Sequence, residues 1–225
     1  MSRHELDLIA RMKRTHLTVP AGDDLVREGD VSQTFYTVFD GWGARYHRHR
    51  NGSRQILDVL LPGDTIALAA VLLGSSAYSV QALTAASFCA LDGRQFVALF
   101  KSNPKFALSI LTTRLDDGRR ADKRLTMLGR MSAVERVGYF LVETYDRLLQ
   151  RGMAGVTSCP LPLRRTDVAD AVGLSRIHVM RALRELRSQN LVDIKGRELN
   201  IPDVSRLAAH TGYIPASPGR IRAIL

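Results

Sequence analysis

The chain has 225 residues, of which 45% are hydrophobic and 24% are charged, and its formal net charge at neutral pH is +10. This composition is typical of a folded protein with one large or two modest domains, and the positive charge favours a polyanionic partner. The apolar stretch 66–73 is too short to cross a membrane, and the N-terminal residues lack the apolar core of a signal peptide. We therefore expect a cytoplasmic protein.

The two cysteines, Cys89 and Cys159, are too few for a disulfide framework or for a four-cysteine zinc or iron–sulfur site. We find no G-x-S-x-G motif, phosphate-binding loop, zinc-binding helix or acid/base pair that indicates an enzyme. The sequence thus predicts neither catalysis nor a cofactor or metal.

The first part of the chain is predicted to form a short helix over residues 3–16, followed by β structure to about residue 91. Gly-Asp and Asp-Gly pairs interrupt this β region, and between them lie short β-type runs at 34–39, 43–47, 55–61, 78–83 and 87–91. Short strands separated by closely spaced turn signals predict a small antiparallel barrel or sandwich.

A helical turn at 93–100 precedes Ser102-Asn103-Pro104, which is a typical helix start. The long helix that follows carries leucines at Leu108, Leu111, Leu115, Leu125 and Leu128. Because the first three have the spacing of a coiled-coil seam, we interpret this helix as a two-fold dimer interface. The alternative is that the helix packs only on its own β domain.

The seam of this helix is interrupted at its middle by Gly118 and the charged residues around it. We expect this interruption to make the helix a coupling element that can reorient the part of the chain that follows. Ser132 and Glu135 then form a capping box that starts another helix, and the glycines and prolines of 151–162 predict a loop.

Residues 163–186, LRRTDVADAVGLSRIHVMRALREL, predict two short helices separated by Gly173-Leu174-Ser175. Gly173 can adopt the positive φ that ends a helix, and Ser175 can cap the next one. The second helix has a buried stripe, formed by Val179, Ala182, Leu183 and Leu186, and an outer face rich in arginine. This pattern is typical of a helix-turn-helix whose second helix enters the DNA major groove. The alternative is an amphipathic hairpin with solvated arginines.

Residues 191–201 predict a β-hairpin that turns near Gly196, which would make this unit a winged helix with Lys195 and Arg197 at the tip of the wing. A closing helical turn is predicted at 204–209. From Tyr213 onward the prolines and glycines predict a loose tail.

The order of these elements resembles the Crp/Fnr family of bacterial transcription regulators over about residues 15–210. The resemblance is carried by GDDLVREGD, FYTVFDGWGARY, GSRQILDVLLPGD, the helix that begins at Asn-Pro, and VGLSRIHVMRALRELRSQNLVDIKGRELNI. It implies an α+β fold with an antiparallel, jelly-roll-like β-roll over 1–100, a dimerisation helix over 101–131 and a winged-helix DNA-binding domain over 132–225. It also implies a homodimer that binds a near-palindromic operator and, if it activates transcription, contacts RNA polymerase.

The resemblance assigns DNA contacts to Ser175, Arg176, Ile177, His178, Arg181, Arg165, Arg184, Lys195 and Arg197. Arg176 and Arg181 occupy positions of base- and phosphate-contacting arginines, and the guanidinium fork suits guanine O6 and N7. Many family members have glutamate where this chain has Ile177, which can make only apolar contact, for instance with a thymine methyl. His178 stands where threonine is common. We expect Arg164, Arg165, Arg184, Lys195 and Arg197 to position the protein on phosphates rather than to specify sequence.

The ligand pocket is where the chain departs from the cyclic-nucleotide-binding members of the family. Those members hold the ribose with glutamate, the cyclic phosphate with arginine and the adenine with hydroxyls on the long helix. The matching positions here are Ile66, Ala67 and Leu68, then Ser76 and Ala77, then Ala121 and Asp122. Losing the arginine alone removes a charge-assisted hydrogen bond of about 1.5–3 kcal/mol. We therefore predict weak or no specific binding of cyclic AMP.

An alternative function is an effector-gated regulator that senses haem, redox state or another small ligand through the β-roll. His47 and His49 alternate, so on a strand they share a face, but they lie in a basic segment that we interpret as an exposed hairpin end. Cys89 lies in an apolar strand and is predicted to be a buried structural thiol. Cys159, in the predicted loop, is the better of the two candidates for a redox switch, but we favour the alternative that it is an inert loop cysteine.

Overall fold

The computed structural model describes residues 12–215 of the chain. Within this range the chain divides between Arg119 and Arg120 into two compact units, which are described separately below. Among the helices of the described range, none is both long enough and apolar enough to span a membrane.

The N-terminal unit contains two four-stranded antiparallel sheets. The first has the order β1 (Lys13–Val19), β8 (Ala86–Asp92), β3 (Thr34–Asp40), β6 (Thr65–Ile66), and the second has the order β2 (Asp24–Val26), β7 (Ser79–Ala82), β4 (Gly43–Arg48), β5 (Arg54–Leu60). Buried side chains from both sheets form one core, among them Val38, Ile66 and Phe88 of the first sheet and Leu60, Val80 and Ala82 of the second. The predicted antiparallel β-roll is thereby confirmed.

The predicted N-terminal helix is wrong over residues 13–16, because these belong to strand β1. β1 pairs antiparallel with β8, and His16 lies directly opposite Cys89. The alternating Thr15-His16-Leu17-Thr18-Val19 suits a sheet edge, and pairing with β8 outweighs the helical signal of the residues before it. Residues 3–11 of the predicted helix lie outside the described residues.

Three helices complete the N-terminal unit and lead out of it: α1 (Leu68–Leu73), α2 (Gly93–Ser102) and α3 (Pro104–Arg130), which runs across the boundary between the units. The carboxylate of Asp92 caps α2 by accepting from the backbone N–H groups of Arg94 and Gln95. Asn103 caps the start of α3 by accepting from the N–H of Phe106 at 3.0 Å. Phe106 is fully buried against Phe96, so the first turns of α3 pack on the β-roll.

The C-terminal unit contains α4 (Ala133–Leu149), α5 (Arg165–Val172), α6 (Arg176–Ser188) and α7 (Val204–Thr211), together with the sheet β10 (Asp193–Lys195), β11 (Glu198–Asn200), β9 (Ser158–Pro160). The capping box of Ser132 and Glu135 is present at the start of α4. Strand β9 lies within residues 151–162, which were predicted to be a loop. Its three residues carry no alternating pattern of their own, and it forms because Cys159 pairs with Leu199 of β11.

The loose tail predicted from Tyr213 onward is wrong at Tyr213 itself. The hydroxyl of Tyr213 donates a 2.7 Å hydrogen bond to Asp146 Oδ2, and its ring makes an edge contact with Tyr139 at 5.3 Å between centroids. Tyr213 therefore ties the chain after α7 to α4. The rest of the predicted tail, from residue 216, lies outside the described residues.

Candidate DNA interface

Helices α5 and α6 are joined by the tight turn Gly173-Leu174-Ser175. Gly173 ends α5 in the left-handed region, with φ of 63°, and its N–H donates to the carbonyl of Ala169. The N–H of Leu174 donates to the same carbonyl at 3.1 Å. An L side chain is strained at such a φ, so glycine fixes the angle at which α6 leaves the turn.

Helix α6 has one buried and one exposed face, as the periodicity predicts. Val179, Ala182 and Leu186 are at most 1% exposed and pack the helix on its own unit. The opposite side and the first turn are exposed, and they carry Arg176, Ile177, His178, Arg181 and Arg184. Ile177 is 64% exposed in the midst of these cations. A rigid helix with a solvent-facing row of arginines around one apolar side chain can contact both phosphates and base edges.

Ser175 caps α6 and also contacts the side chain of His178. Its Oγ accepts from the backbone N–H of His178 at 3.3 Å and lies 2.8 Å from the imidazole Nδ1. The cap itself is predictable from sequence, because serine before a helix commonly accepts this bond. The contact with the imidazole is not, because it depends on the rotamer of His178.

The two arginines at the start of α5 differ in their exposure and in their hydrogen-bond partners. The guanidinium of Arg164 is bonded to the buried carboxylate of Asp167, at 3.2 Å from Nε to Oδ2, and this bond raises the pKa of Arg164. Arg165 is half-buried, and desolvation lowers its pKa. Both were predicted to position the protein on phosphates, and the structure gives Arg164 an additional role in starting α5.

The wing is a β-hairpin with a two-residue loop, Gly196-Arg197, and Lys195 pairs with Glu198 on either side of this loop. Gly196 has φ of 60°, as the turn at the predicted position requires. Lys195 Nζ lies 3.6 Å from Asp193 Oδ2, and Arg187 Nε of α6 lies 3.2 Å from Asp193 Oδ1. Sequence reasoning missed Arg187 and Asp193, which join the recognition helix to the wing, because no local pattern signals a contact between two separate elements.

Comparison with known families agrees with these two units. Residues 16–103 match the model of the cyclic nucleotide-binding domain, and residues 135–210 match the model of the Crp-like helix-turn-helix domain. The chain belongs to the Crp/Fnr family. It is a DNA-binding transcription regulator with a winged helix-turn-helix and a β-roll similar to cyclic nucleotide-binding domains, as the resemblance implied. The relatives that the chain matches are transcription regulators.

Individual Crp/Fnr relatives align along most of the chain. The nitrogen fixation regulation protein FixK of Bradyrhizobium diazoefficiens is 29% identical over 197 residues, which cover 88% of this chain and 81% of FixK. The transcriptional activator protein Anr of Pseudomonas protegens is 23% identical over 212 residues, covering 94% and 86%. The structure of FixK2 from Bradyrhizobium japonicum superposes with a TM-score of 0.77 at 25% identity, covering 91% of this chain and 98% of that one.

The leucines of α3 differ in exposure. Leu108, Leu111, Leu115 and Leu125 are between 51% and 73% exposed, whereas Leu128 is half-buried. The heptad spacing from Leu108 passes through Gly118 and Asp122 before it reaches Leu125, so Leu128 lies off this row. Phe106 and Ile110 are buried on another side of the helix. The helix thus packs on its own β-roll and also presents a separate apolar row to solvent.

The residues predicted to line a cyclic-nucleotide pocket differ in their burial. Ile66, Ala67 and Leu68 are at most 6% exposed and belong to the core of the β-roll. Ser76 is 3% exposed, and its hydroxyl donates to the carbonyl of Tyr78 at 2.7 Å. Ala77 is exposed. The first four residues are therefore committed to packing and loop structure within the β-roll itself.

On α3, Ala121 and Asp122 are both exposed. They belong to the C-terminal unit, whereas the other pocket positions belong to the N-terminal unit. Neither side chain offers the hydroxyl that the adenine contact requires.

The candidate sensing residues of the β-roll are not gathered into a site. His47 Nδ1 lies 3.0 Å from Glu28 Oε2, and His49 is exposed at the hairpin between β4 and β5. Within residues 12–215 no group of three or more His, Cys, Asp or Glu side chains is arranged to hold a metal. Cys89 is 7% exposed, as predicted for a structural thiol.

Cys159 is not the exposed loop thiol that a redox switch requires. It lies in strand β9, is 2% exposed, and burial raises the pKa of its thiol to about 12, with a further contribution from the carboxylate of Glu198. Because the thiolate is the reactive form, both the burial and the raised pKa disfavour oxidation of this side chain.

Proposed function

We propose that the protein acts as a homodimer that binds a near-palindromic operator through α6, without gating by cyclic AMP. The observation that carries the proposal is the exposed part of α6, which holds Arg176, Ile177, Arg181 and Arg184. The other face of the helix is buried at Val179, Ala182 and Leu186 and half-buried at Leu183. Within the Crp/Fnr family this is the helix that enters the major groove. A bacterial chromosome as target also implies action in the cytoplasm.

The division of labour on this face follows from side-chain chemistry. Arg176 and Arg181 can each donate two parallel bonds to guanine O6 and N7. Ile177 favours a neighbouring thymine, because its methyl group offers an apolar contact. Ser175, His178, Arg165 and Arg184, with Lys195 and Arg197 of the wing, add contacts to the duplex, mostly to phosphates.

The dimer is supported by the apolar row on α3. Leu108, Leu111, Leu115 and Leu125 would each gain about 1.5–3 kcal/mol on full burial, and the protomer's own β-roll already occupies a different side of the helix through Phe106 and Ile110. Pairing of two such rows across a two-fold axis buries all four leucines and brings two recognition helices to one duplex. We also propose contact with RNA polymerase if the protein activates transcription, and no catalytic activity.

The absence of control by cyclic AMP is supported by the residues at the predicted pocket positions, which lack the charged groups that the nucleotide needs. A cyclic phosphate needs a cation, and the positions that supply it in other members are Ser76, which is bonded within its own loop, and Ala77. A ribose needs a carboxylate, and its positions are buried apolar residues. At these positions a cyclic nucleotide would meet apolar side chains instead of charged partners, and its polar groups would lose hydrogen bonds to water without replacement.

The test is selection of duplexes from a random pool by the purified full-length protein at fixed moderate salt, with and without cyclic AMP. We expect the same palindromic sequence to be enriched in both cases, and we expect Arg181→Ala to weaken its binding by about 10- to 100-fold. Unchanged operator affinity of Arg181→Ala would show that α6 is not the recognition helix. Enrichment that depends on cyclic AMP would show that the β-roll still binds the nucleotide.

A further inference from the structure

The first turn of α6 contains a side-chain pair that the general helix-turn-helix geometry does not require. Ser175 Oγ accepts the backbone N–H of His178 at 3.3 Å and is also 2.8 Å from His178 Nδ1. Both residues are exposed on the surface that carries Arg176 and Arg181. One hydroxyl therefore serves as helix cap and as partner of an imidazole at the same time.

The hydrogen-bonding capacity of the hydroxyl restricts how the ring can be protonated. A serine hydroxyl has one hydrogen and two lone pairs, and one lone pair is used by the backbone N–H of His178. If the hydroxyl donates its hydrogen to Nδ1, both groups are satisfied and the neutral ring carries its proton on Nε2. In the Nδ1–H tautomer the hydroxyl would accept from both the backbone N–H and Nδ1–H of His178. Its own hydrogen would then make no bond within the pair.

The field of the helix favours the same tautomer. The first turn of α6 has unpaired N–H groups and a partial positive charge. With the proton on Nε2, the negative end of the imidazole dipole is the Nδ1 lone pair, which faces the cap, and the positive Nε2–H end is directed away from it. Reversal of the tautomer would direct the positive end of the ring toward a positive helix terminus.

The outward-facing Nε2–H then needs an acceptor. Its neighbours Arg176 and Arg181 are cations and can only donate, and Ile177 is apolar. A duplex offers phosphate oxygens and, in the major groove, guanine O6 and N7, adenine N7 and thymine O4. A fixed donor on Nε2 can pair with any of these acceptors, phosphates included, whereas a fixed lone pair could pair only with the amino groups of adenine and cytosine.

We propose that Ser175 holds His178 in the Nε2–H tautomer, so that His178 donates a hydrogen bond to an acceptor of the operator. This role of His178 rests on the proposed binding of DNA by α6. Ser175 is then a positioning residue, which acts on DNA through His178 as well as through the helix that it caps.

The tautomer is tested on the free, full-length protein by the ¹⁵N chemical shifts of the imidazole nitrogens. Spectra are recorded at increasing pH until the signals stop changing, and the His178→Gln variant, which lacks this ring, assigns them. We expect the proton on Nε2 in the wild type and in Ser175→Thr, which keeps the hydroxyl, and a mixture of tautomers in Ser175→Ala. A proton on Nδ1 in the wild type would overturn the proposal.

The role in DNA binding is tested with the selected operator. We expect His178→Ala to weaken binding about tenfold, as for the loss of one good hydrogen bond, and His178→Gln, which keeps a donor, to weaken it less. Ser175→Ala should weaken binding in the wild-type background more than in the His178→Ala background, and Ser175→Thr should restore affinity. If Ser175→Ala has the same effect in both backgrounds, Ser175 is only a helix cap and the proposal fails.

The acceptor is identified with duplexes in which one base pair of the half-site is replaced at a time. A base acceptor predicts that the effect of His178→Ala disappears at one replaced pair, whereas a phosphate acceptor predicts the same effect on every duplex. If Arg181→Ala weakens binding but His178→Ala does not, this inference fails while the proposed function stands. If neither variant weakens binding, the proposed function itself is wrong.

Discussion

Single side chains hold the C-terminal unit together through contacts that the sequence does not reveal. Arg124 Nε, near the end of α3, donates to Glu143 Oε2 of α4 at 2.9 Å, and the two side chains are 15% and 3% exposed. Burial, together with the charge of Glu143, raises the pKa of the adjacent Tyr139 to about 12. A local feature such as the Ser175 cap is predictable because it depends on neighbours in sequence. The contact between Arg124 and Glu143 is not, because it exists only after α3 and α4 have packed.

We expect Glu143→Gln to destabilise the C-terminal unit by about 3 kcal/mol, because it removes the carboxylate that balances a largely buried guanidinium. The matched control is Asp117→Asn in the more exposed Arg114–Asp117 pair, 3.2 Å apart, which should cost less than about 1 kcal/mol. Urea unfolding followed by hydrogen exchange measures both costs, from α4 peptides for Glu143→Gln and from peptides of the N-terminal unit for Asp117→Asn. Equal costs for the two variants would show that the buried pair has no special role.

At the same scale, Cys159 should be inert in the folded protein. With its thiol pKa raised to about 12 by burial, roughly one molecule in ten thousand carries the thiolate at pH 8, and the side chain is 2% exposed. We expect iodoacetamide at pH 8 to modify Cys159 only after unfolding in urea, as measured by mass spectrometry of the peptide that contains it. Rapid modification of Cys159 in the native protein would show that its thiol is reactive and would restore it as a candidate redox switch.

The secondary-structure elements show which signals are strong enough to predict from sequence. Helices α3, α4 and α6 are long, periodic and capped, and their positions follow from spacing and cap residues. Four strands were missed because a short strand is defined by its pairing partner: β1 by β8, β2 by β7, β6 by β3, and β9 by the wing strand β11. The wing hairpin was found because Gly196 marks a tight turn between two β-type runs.

The role of α3 leads to a prediction about assembly. We expect Leu111→Glu to convert a dimer to monomers, because a charge in the centre of the apolar row cannot be buried without a partner. Thr112→Glu, a neighbouring exposed position off this row, is the control and should leave the dimer largely intact. Sedimentation equilibrium measures the association constant of each. A dimer that persists in Leu111→Glu would place the interface elsewhere.

The wing leads to a prediction about salt. Arg197 is exposed at its tip, and we expect Arg197→Ala to weaken all duplexes equally and to reduce the slope of log affinity against log salt by about one per half-site. Arg181→Ala should instead discriminate between operator and non-operator duplexes. If Arg197→Ala leaves the salt slope unchanged, the wing does not contact phosphate.

At the level of the whole molecule, the net charge of +10 and the order of elements together indicated a nucleic-acid-binding regulator, and the two family models agree with that order. The β-roll matches the model of a cyclic nucleotide-binding domain, but Ile66, Ala67 and Ser76, which we predicted to line its ligand pocket, are used for packing and loop structure. That these positions lack ligand-binding groups is visible in the sequence. Their burial is visible only in the structure, because it depends on how the two sheets close on each other.

The most direct test of this account is one titration of the full-length protein against its selected operator, with binding and stoichiometry recorded in the presence and absence of cyclic AMP. We predict two protomers per duplex and the same affinity in both conditions. An affinity that rises with cyclic AMP would contradict the account of the β-roll. One protomer per duplex would contradict the two-fold dimer on which the recognition of a palindrome depends.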